Sequence, residues 1–431
     1  MPVAITWSVW MWRRPDRAHG GAALLASIWN LPSLLLLHLL AARFGWWRFE
    51  ADGGLFLGLP VDLYLGWSLL WGAIPALAFR GVHLAVVVAA MLCVDLIIMP
   101  ASHPVVRLGS GWLVGETVAL ALCLIPAQLL ARWTGDNRCL SGRAGLQVAA
   151  FAGLMLGVLP AAVLEITGGS WRSLLDRPLW QNALGMQLIA VPAIVGLSAV
   201  QEFVERGDGT PVPYDPPSRL VSSGVYAYLA NPLQVAMALV LVLWGLWLGS
   251  LWVAAAGVMA VVYSAGLAAW DEGADLAARH GEGWRLYSRE VRQWWPRWRP
   301  WHPQRSGVAA RAHLDDVPAR LYVAETCAQC SPIARWFEAR RPLGMLVLAA
   351  EDHPMRDLQR ITYCAPDGRS TDGVAALARG LEHLHLGWAF IGWTMRLPVV
   401  CQLLQLITDA AGGGPRVIAR RHARVREDSS G

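Results

Sequence analysis

From Gly81 to Ser102 the chain reads "GVHLAVVVAAMLCVDLIIMPAS", and Asp95 is the only Asp, Glu, Lys or Arg in it. A helix of about 20 apolar residues rises about 30 Å, the depth of a bilayer's hydrocarbon layer. Hydrocarbon offers the backbone no hydrogen-bond partner, so a chain at that depth must close its own bonds as a helix. Comparable runs recur at 23–43, 55–79, 82–101, 112–132, 145–165, 180–203, 232–249 and 251–270. Of 431 residues, 55% are hydrophobic and only 16% are charged, too few charges to keep that much apolar surface in water. The pattern predicts an α-helical polytopic membrane protein of about eight transmembrane helices. The last two runs read as a tight hairpin with Gly249-Ser250 at the turn.

Arginine placement orients the runs. Arg13, Arg14 and Arg17 precede the first; Arg80 follows the second, and Arg132, Arg138 and Arg143 follow the fourth. Arg279, Arg285, Arg289 and Arg292 follow the eighth, whereas Arg43, Arg48, Arg172 and Arg177 fall on the opposite side. The majority side is cytoplasmic by the positive-inside rule. The expected location is therefore the cell membrane, multi-pass, with the N-terminus and the C-terminal domain cytoplasmic. The first run is expected to be an uncleaved anchor, since no small-residue cleavage site follows it. The net charge of +5 is spread out, which suits membrane lipids rather than nucleic acid.

Near "QWWPRWRPWHPQRSG" the composition changes, and tryptophans alternating with arginines suit the headgroup layer. Beyond it "RLYVA" and "GMLVLAA" read as strands, and "SPIARWFEARR" and "GVAALARGLEHL" as helices, a small α/β domain. The expected organisation is a transmembrane bundle over 1–178, a membrane core with a cytosolic rim over 179–303, and a linker over 304–317. The α/β domain covers 318–421 and a basic, polar tail 422–431. Seven cysteines are too scattered for a disulfide framework, and Cys364 and Cys401 do not complete a zinc set with Cys327 and Cys330. No metal is expected.

The loop "GDGTPVPYDPPSRLVSSGVYAYLANP" is too rich in proline for a helix and closes on Asn231-Pro232. After the hairpin comes "WDEGADLAARHGEGWRLYSREVRQWWPRW", which opens on Asp271 and Glu272. The hairpin returns the chain to the same membrane face, bringing Tyr226, Tyr228 and Asn231 near Asp271, Glu272 and Arg279. Carboxylates that accept from an ammonium, tyrosines that stack on a heterocycle and an amide that meets an adenine edge suit a cationic, nucleotide-like ligand. Methyl transfer from a sulfonium needs alignment and a dry path to the nucleophile. Asn231 as an N-cap, with Pro232 in the first turn, accounts for the same residues structurally.

These two segments, over about 180–300, resemble the isoprenylcysteine carboxyl methyltransferase and phospholipid methyltransferase family. Gly224, Tyr226, Asn231 and Pro232 match its first motif, G-x-Y-x-x-x-R-[HN]-P-x-Y; Glu272, Leu276, Gly281, Trp284 and Tyr287 match its second. Ala230, Gln234 and His280 depart from the usual arginine, tyrosine and phenylalanine, and Gly273 stands where a second glutamate belongs, with Asp271 as a substitute. The resemblance implies S-adenosyl-L-methionine as cofactor, bound by Tyr226, Tyr228, Asn231, Pro232, Asp271, Glu272, Arg279 and Tyr287. It implies a lipophilic small-molecule or lipid-linked acceptor. A sterol-reductase-like NADPH enzyme shares the Asn-Pro and the late carboxylate and aromatic pattern.

Cys327-Ala-Gln-Cys330 lies between a strand and a helix, where the helix N-terminus favours a thiolate. The segment 318–421 resembles the DCC-type thiol-disulfide oxidoreductase-like family, which implies a thioredoxin-like domain with Cys327 and Cys330 as its redox pair. A contact between this domain and the membrane core is expected. A membrane anchor that merely presents a redox domain is the non-enzymatic alternative. Asp62, Asp95, Glu116 and Glu165 lie within or at the ends of the runs, where ionisable groups face a cavity or a partner. His38, inside a leucine run, reads as a hydrogen-bonded core histidine.

Overall fold

The computed structural model describes residues 1–212, 217–302, 317–327 and 330–421, without the side chains of 267–272. The expected tail at 422–431, and the expected linker up to residue 316, lie outside the described residues. The chain forms two compact units. The first comprises 1–185, 208–218 and 241–256, and the second 186–207, 219–240 and 257–431.

Helix α1 (Pro2–Arg13) precedes α2 (Arg17–Phe44), whose N-cap Asp16 accepts from the His19 N–H. Then follow α3 (Val61–Ala78), α4 (Leu84–Ala101), α5 (Trp112–Gly135), α6 (Leu140–Thr167) and α7 (Leu179–Gly207). The six from α2 to α7 are long and apolar enough to cross a membrane, and the protein is a multi-pass helical membrane protein. The helix in the run expected at 55–79 is shorter than that run, starting only at Val61. Gly53, Gly54 and Gly58 break its start, and strands β2 (Leu55–Phe56) and β3 (Leu59–Pro60) form a hairpin there instead. Between the spans, β1 (Trp47–Phe49) pairs antiparallel with β4 (Val106–Leu108), and Trp47 opposes Leu108.

At Gly72 the backbone of α3 leaves helical geometry, which frees polar groups where water is scarce. Ser27 Oγ accepts from the Ala73 N–H at 3.0 Å, and Gln128 Nε2 donates to the Trp71 and Gly72 carbonyls at 2.7 and 3.1 Å. Neighbouring helices thus satisfy the broken turn, as burial in hydrocarbon demands. Around it packs a core of Leu34, Leu37, Trp47, Tyr64, Trp71 and Met91.

Eight spans were expected, and among the described residues six single helices meet that length. Helix α8 (Pro232–Leu248) has 17 residues and α9 (Leu251–Tyr263) has 13. At 1.5 Å per residue α8 reaches only about 25 Å, short of the hydrocarbon layer. The turn between them is where it was expected. Gly249 takes φ +74°, a conformation that favours glycine, and Ser250 Oγ accepts from the Val253 N–H at 3.4 Å to start α9. The apolar run also stops early, because α10 (Ala269–Glu290) carries charged residues from Asp271 on.

The C-terminal part of the second unit is α/β. Strand β5 (Ala319–Val323) leads through α11 (Ser331–Ala339) to β6 (Met345–Ala349), which lies parallel to it. Strands β7 (Thr362–Cys364) and β8 (Ser370–Asp372) add antiparallel on the other side, for an order of β6-β5-β7-β8. Alternation along β5 separates its two faces. Ala319, Leu321 and Val323 pack with Phe337 and Leu381, while Tyr322 packs with Ala350 and Leu358. Helix α12 (Val374–Leu381) follows β8. Next come α13 (Leu386–Arg396) and α14 (Pro398–Thr408), bent by 88° where Pro398 stops the first helix.

Candidate functional site

In the second unit the segment 224–230 is buried throughout. It opens at Gly224, whose φ of +57° favours glycine and where a Cβ would run into the Glu202 carboxylate. Ser223 Oγ donates to Glu202 Oε2 at 2.9 Å, so the glycine and the carboxylate fix each other. Backbone bonds then lace the segment to the arginine- and tryptophan-rich stretch after α10. The Ala230 N–H donates to the Arg292 carbonyl at 3.0 Å. Arg297 and Trp301 donate their N–H groups to the Tyr228 and Ala227 carbonyls, each at 2.8 Å. That stretch therefore holds the 227–230 backbone in place. Trp301 is buried beside Ala230, Trp284 and Tyr287, while Trp295 and Trp298 are exposed.

The expected site residues fall on this frame as follows. Tyr226 stacks on Phe203, ring centroids 4.9 Å apart, and its carbonyl accepts from the Tyr287 hydroxyl at 2.8 Å. Tyr228 is fully buried, edge-on to Trp393 at 5.5 Å, with its hydroxyl donating to the Glu382 carbonyl at 2.8 Å. Tyr287 is 1% exposed and packs edge-on against Trp301. All three rings lie inside the protein. Burial holds the Tyr228 and Tyr287 phenols above their usual pKa, so both remain hydrogen-bond donors.

Asn231 is half-buried at the start of α8. Its carbonyl accepts from the Val235 N–H at 3.1 Å, which makes it the N-cap with Pro232 as the first helical residue, and its Nδ2 donates to Gln234 Oε1 at 3.3 Å. Arg279 pairs with Asp275 one turn away on an exposed face of α10, and helical geometry breaks at Gly281. Asp271 and Glu272 belong to α10, but their side chains lie outside the described residues.

Behind Gly224 lies a charge network among residues that sequence reading passed over. Arg379 Nη1 donates to Glu202 Oε1 at 2.5 Å and to Glu382 Oε2 at 3.1 Å, and Nη2 reaches Glu205. Arg396 donates to Glu202 at 2.6 Å, to Glu382 at 2.7 Å and to Glu205 at 2.8 Å. Glu202 is 0% exposed and Arg379 2%, so each needs the other's charge. Nearby Arg206 holds Asp367 at 2.7 Å. A clue was available in Glu202, a carboxylate at the end of an apolar helix, which calls for a counter-charge.

At the other candidate site, Cys330 N-caps α11, its backbone N–H donating to the Cys327 carbonyl at 3.0 Å, and the two sulfurs lie 2.6 Å apart. Burial, then the hydrogen bond and charge of Cys327, push the Cys330 thiol up to about 12. Glu351, 6% exposed, accepts from the Glu325 and Thr326 N–H groups and from Thr326 Oγ1, fixing the approach to Cys327. These bonds outweigh its burial and hold its carboxyl below the usual range. Among the described residues no cluster of His, Cys, Asp or Glu could hold a metal.

Residues 180–273 match the family model of phospholipid methyltransferase. Over those residues the chain is similar to the phospholipid methyltransferases. The match runs from α7 through residues 208–231 and the α8–α9 hairpin into α10, and so covers Glu202, Gly224 and Asn231-Pro232. No curated protein and no solved structure gives a match. The similarity supports a membrane methyltransferase.

Proposed function

We propose that the chain transfers a methyl group from S-adenosyl-L-methionine to a lipophilic acceptor, at a cytoplasmic rim formed by the start of α8 and the start of α10. The match over residues 180–273 carries this reading. The donor set at the rim fits such a cofactor. The Asn231 and Gln234 amides meet at the head of an otherwise apolar helix, where polar atoms suit an adenine edge or an amino acid group. Asn231 and Gln234 would hold that polar part, and Glu272, by the resemblance, would take the ammonium. Tyr226, Tyr228 and Tyr287 act as positioning residues, because the Tyr226 ring is stacked on Phe203 and the Tyr228 and Tyr287 hydroxyls are committed to backbone carbonyls. The cofactor supplies an electrophilic methyl; the chain aligns it and excludes water.

Equilibrium binding of labelled S-adenosyl-L-methionine to the purified protein tests this. The wild type should bind saturably, with Asn231→Ala and Glu272→Ala each weakening binding about tenfold or more, the loss of one charged or buried polar contact. A wild type that does not bind overturns the reading.

The C-terminal part is proposed to be a thioredoxin-like domain with Cys327 and Cys330 as a redox pair. The β6-β5-β7-β8 sheet, with β5 and β6 parallel across α11, and the close sulfurs support this. Cys330 should resist alkylation at neutral pH, since its thiol ionises only near 12. Mild oxidation should join Cys327 to Cys330, seen as a loss of two hydrogens from the peptide that contains both. Oxidation that leaves the pair unlinked would overturn the redox reading.

A further inference from the structure

Helix α14 is reversed relative to a surface helix in water, which turns its apolar stripe inward. No Asp, Glu, Lys or Arg occurs from Pro398 to Thr408. The polar side of the helix faces the α/β part of its own unit. Gln405 Oε1 accepts from the Val374 N–H at 2.9 Å, and Gln405 Nε2 donates to Asp409, just beyond the helix, at 2.8 Å. Arg360 in turn holds Asp409 at 2.9 Å. The outward side is mainly apolar. Val399, Leu403, Leu406 and Ile407 follow the helical repeat along one stripe and are between 54% and 68% exposed.

The chain also fixes the level at which this stripe begins. From Leu179 to Gln201 helix α7 has no charged residue, a rise of about 34 Å and so a full hydrocarbon layer. Charge resumes at Glu202 and Glu205, which marks the end of that layer. At the same level Gln201 Nε2 donates to the Arg396 carbonyl at 2.9 Å, and Arg396 donates to Glu202 at 2.6 Å. Arg396 is the last residue of α13, and Pro398 begins α14 two residues later. The entry to α14 is thus bonded to a spanning helix at the edge of the hydrocarbon. A second copy of the chain is the poorer occupant, because one helix about 16 Å long offers less than the ~800 Å² per partner of a stable interface.

We propose that α14 lies in the membrane surface, with Val399, Leu403, Leu406 and Ile407 among the lipid acyl chains and its Gln405 side on the α/β part. The α/β part, with Cys327 and Cys330, is then held to the bilayer at a second point besides the Glu202 network. Neither the methyltransferase reading nor the redox reading bears on this.

Photolysis of the full-length protein in phosphatidylcholine vesicles, with part of the lipid carrying a diazirine on one acyl chain, tests the proposal. Mass spectrometry of the peptides should find label on Val399, Leu403, Leu406 and Ile407, with Gln405 unlabelled. Labelling should exceed that of α11, where Arg335 and Glu338 are exposed, by at least tenfold. Replacing two exposed side chains, Leu403→Glu with Leu406→Glu, should lower labelling of α14 at least tenfold and leave α4 as in the wild type. Should that variant fail to fold, the wild-type pattern decides. A wild type labelled on α4 but not on α14 overturns the proposal, and so does a double variant that folds and keeps its label. Label all round the helix, Gln405 included, would mean a helix immersed in the bilayer and overturns it too. A cross-link between the α14 helices of two copies, with no lipid label, would assign the stripe to a second copy instead.

Discussion

Replacing Arg379 with methionine should destabilise the α/β part of the second unit by about 3–5 kcal/mol, the usual cost of stranding a buried charge. Arg379 bonds Glu202, Glu205 and Glu382, and its removal leaves three carboxylates with Arg396 as the one remaining arginine of the network. Glu202 suffers most, since it is fully buried and also sits behind Gly224. Hydrogen exchange along α12 and α13 should therefore accelerate, while α4, in the first unit, should keep its wild-type rates. Adding Glu382→Gln to Arg379→Met should recover part of the loss, because one stranded carboxylate goes with the lost guanidinium. Wild-type protection in α12 would show that the network contributes no net stability.

That network also shows where the sequence stops being readable. Glu202 stands 177 residues from Arg379 and 194 from Arg396, and no periodicity links positions so far apart. Apolar runs were readable because a chargeless stretch of about 20 residues has one good use in a membrane. The α8–α9 hairpin was readable only in its turn; its depth depends on where packing stops, and both helices end short of a full span. The strands at β5 and β6 followed from β-branched and apolar alternation, and α11 from its amphipathic face. Strands β7 and β8 have three residues each and carry no comparable signal. At the rim, the motif residues were legible as residue types, but whether a tyrosine faces a ligand or the core was not. The 292–301 stretch, which looks like an anchor by composition, decides that question by bonding to the 227–230 backbone.

Tyr228 gives the sharpest test of that distinction. Tyr228→Ala should cost about 3–5 kcal/mol, the usual range for deleting a large buried aromatic ring. The cavity would open against Trp393, and the Glu382 carbonyl would lose its donor. Tyr228→Phe keeps the ring and loses only the hydroxyl, so it should cost about 1 kcal/mol. Thermal unfolding of the two variants in detergent gives the stability order. Binding of S-adenosyl-L-methionine then separates the roles. If Tyr228 positions the 224–230 backbone, the Phe variant should bind almost as the wild type does, because the ring still fills its site. The Ala variant should lose binding together with protection of the loop. A Phe variant that keeps its fold but loses binding would instead place the hydroxyl on the cofactor. The bond to Glu382, 154 residues away, would then have to break when the cofactor binds.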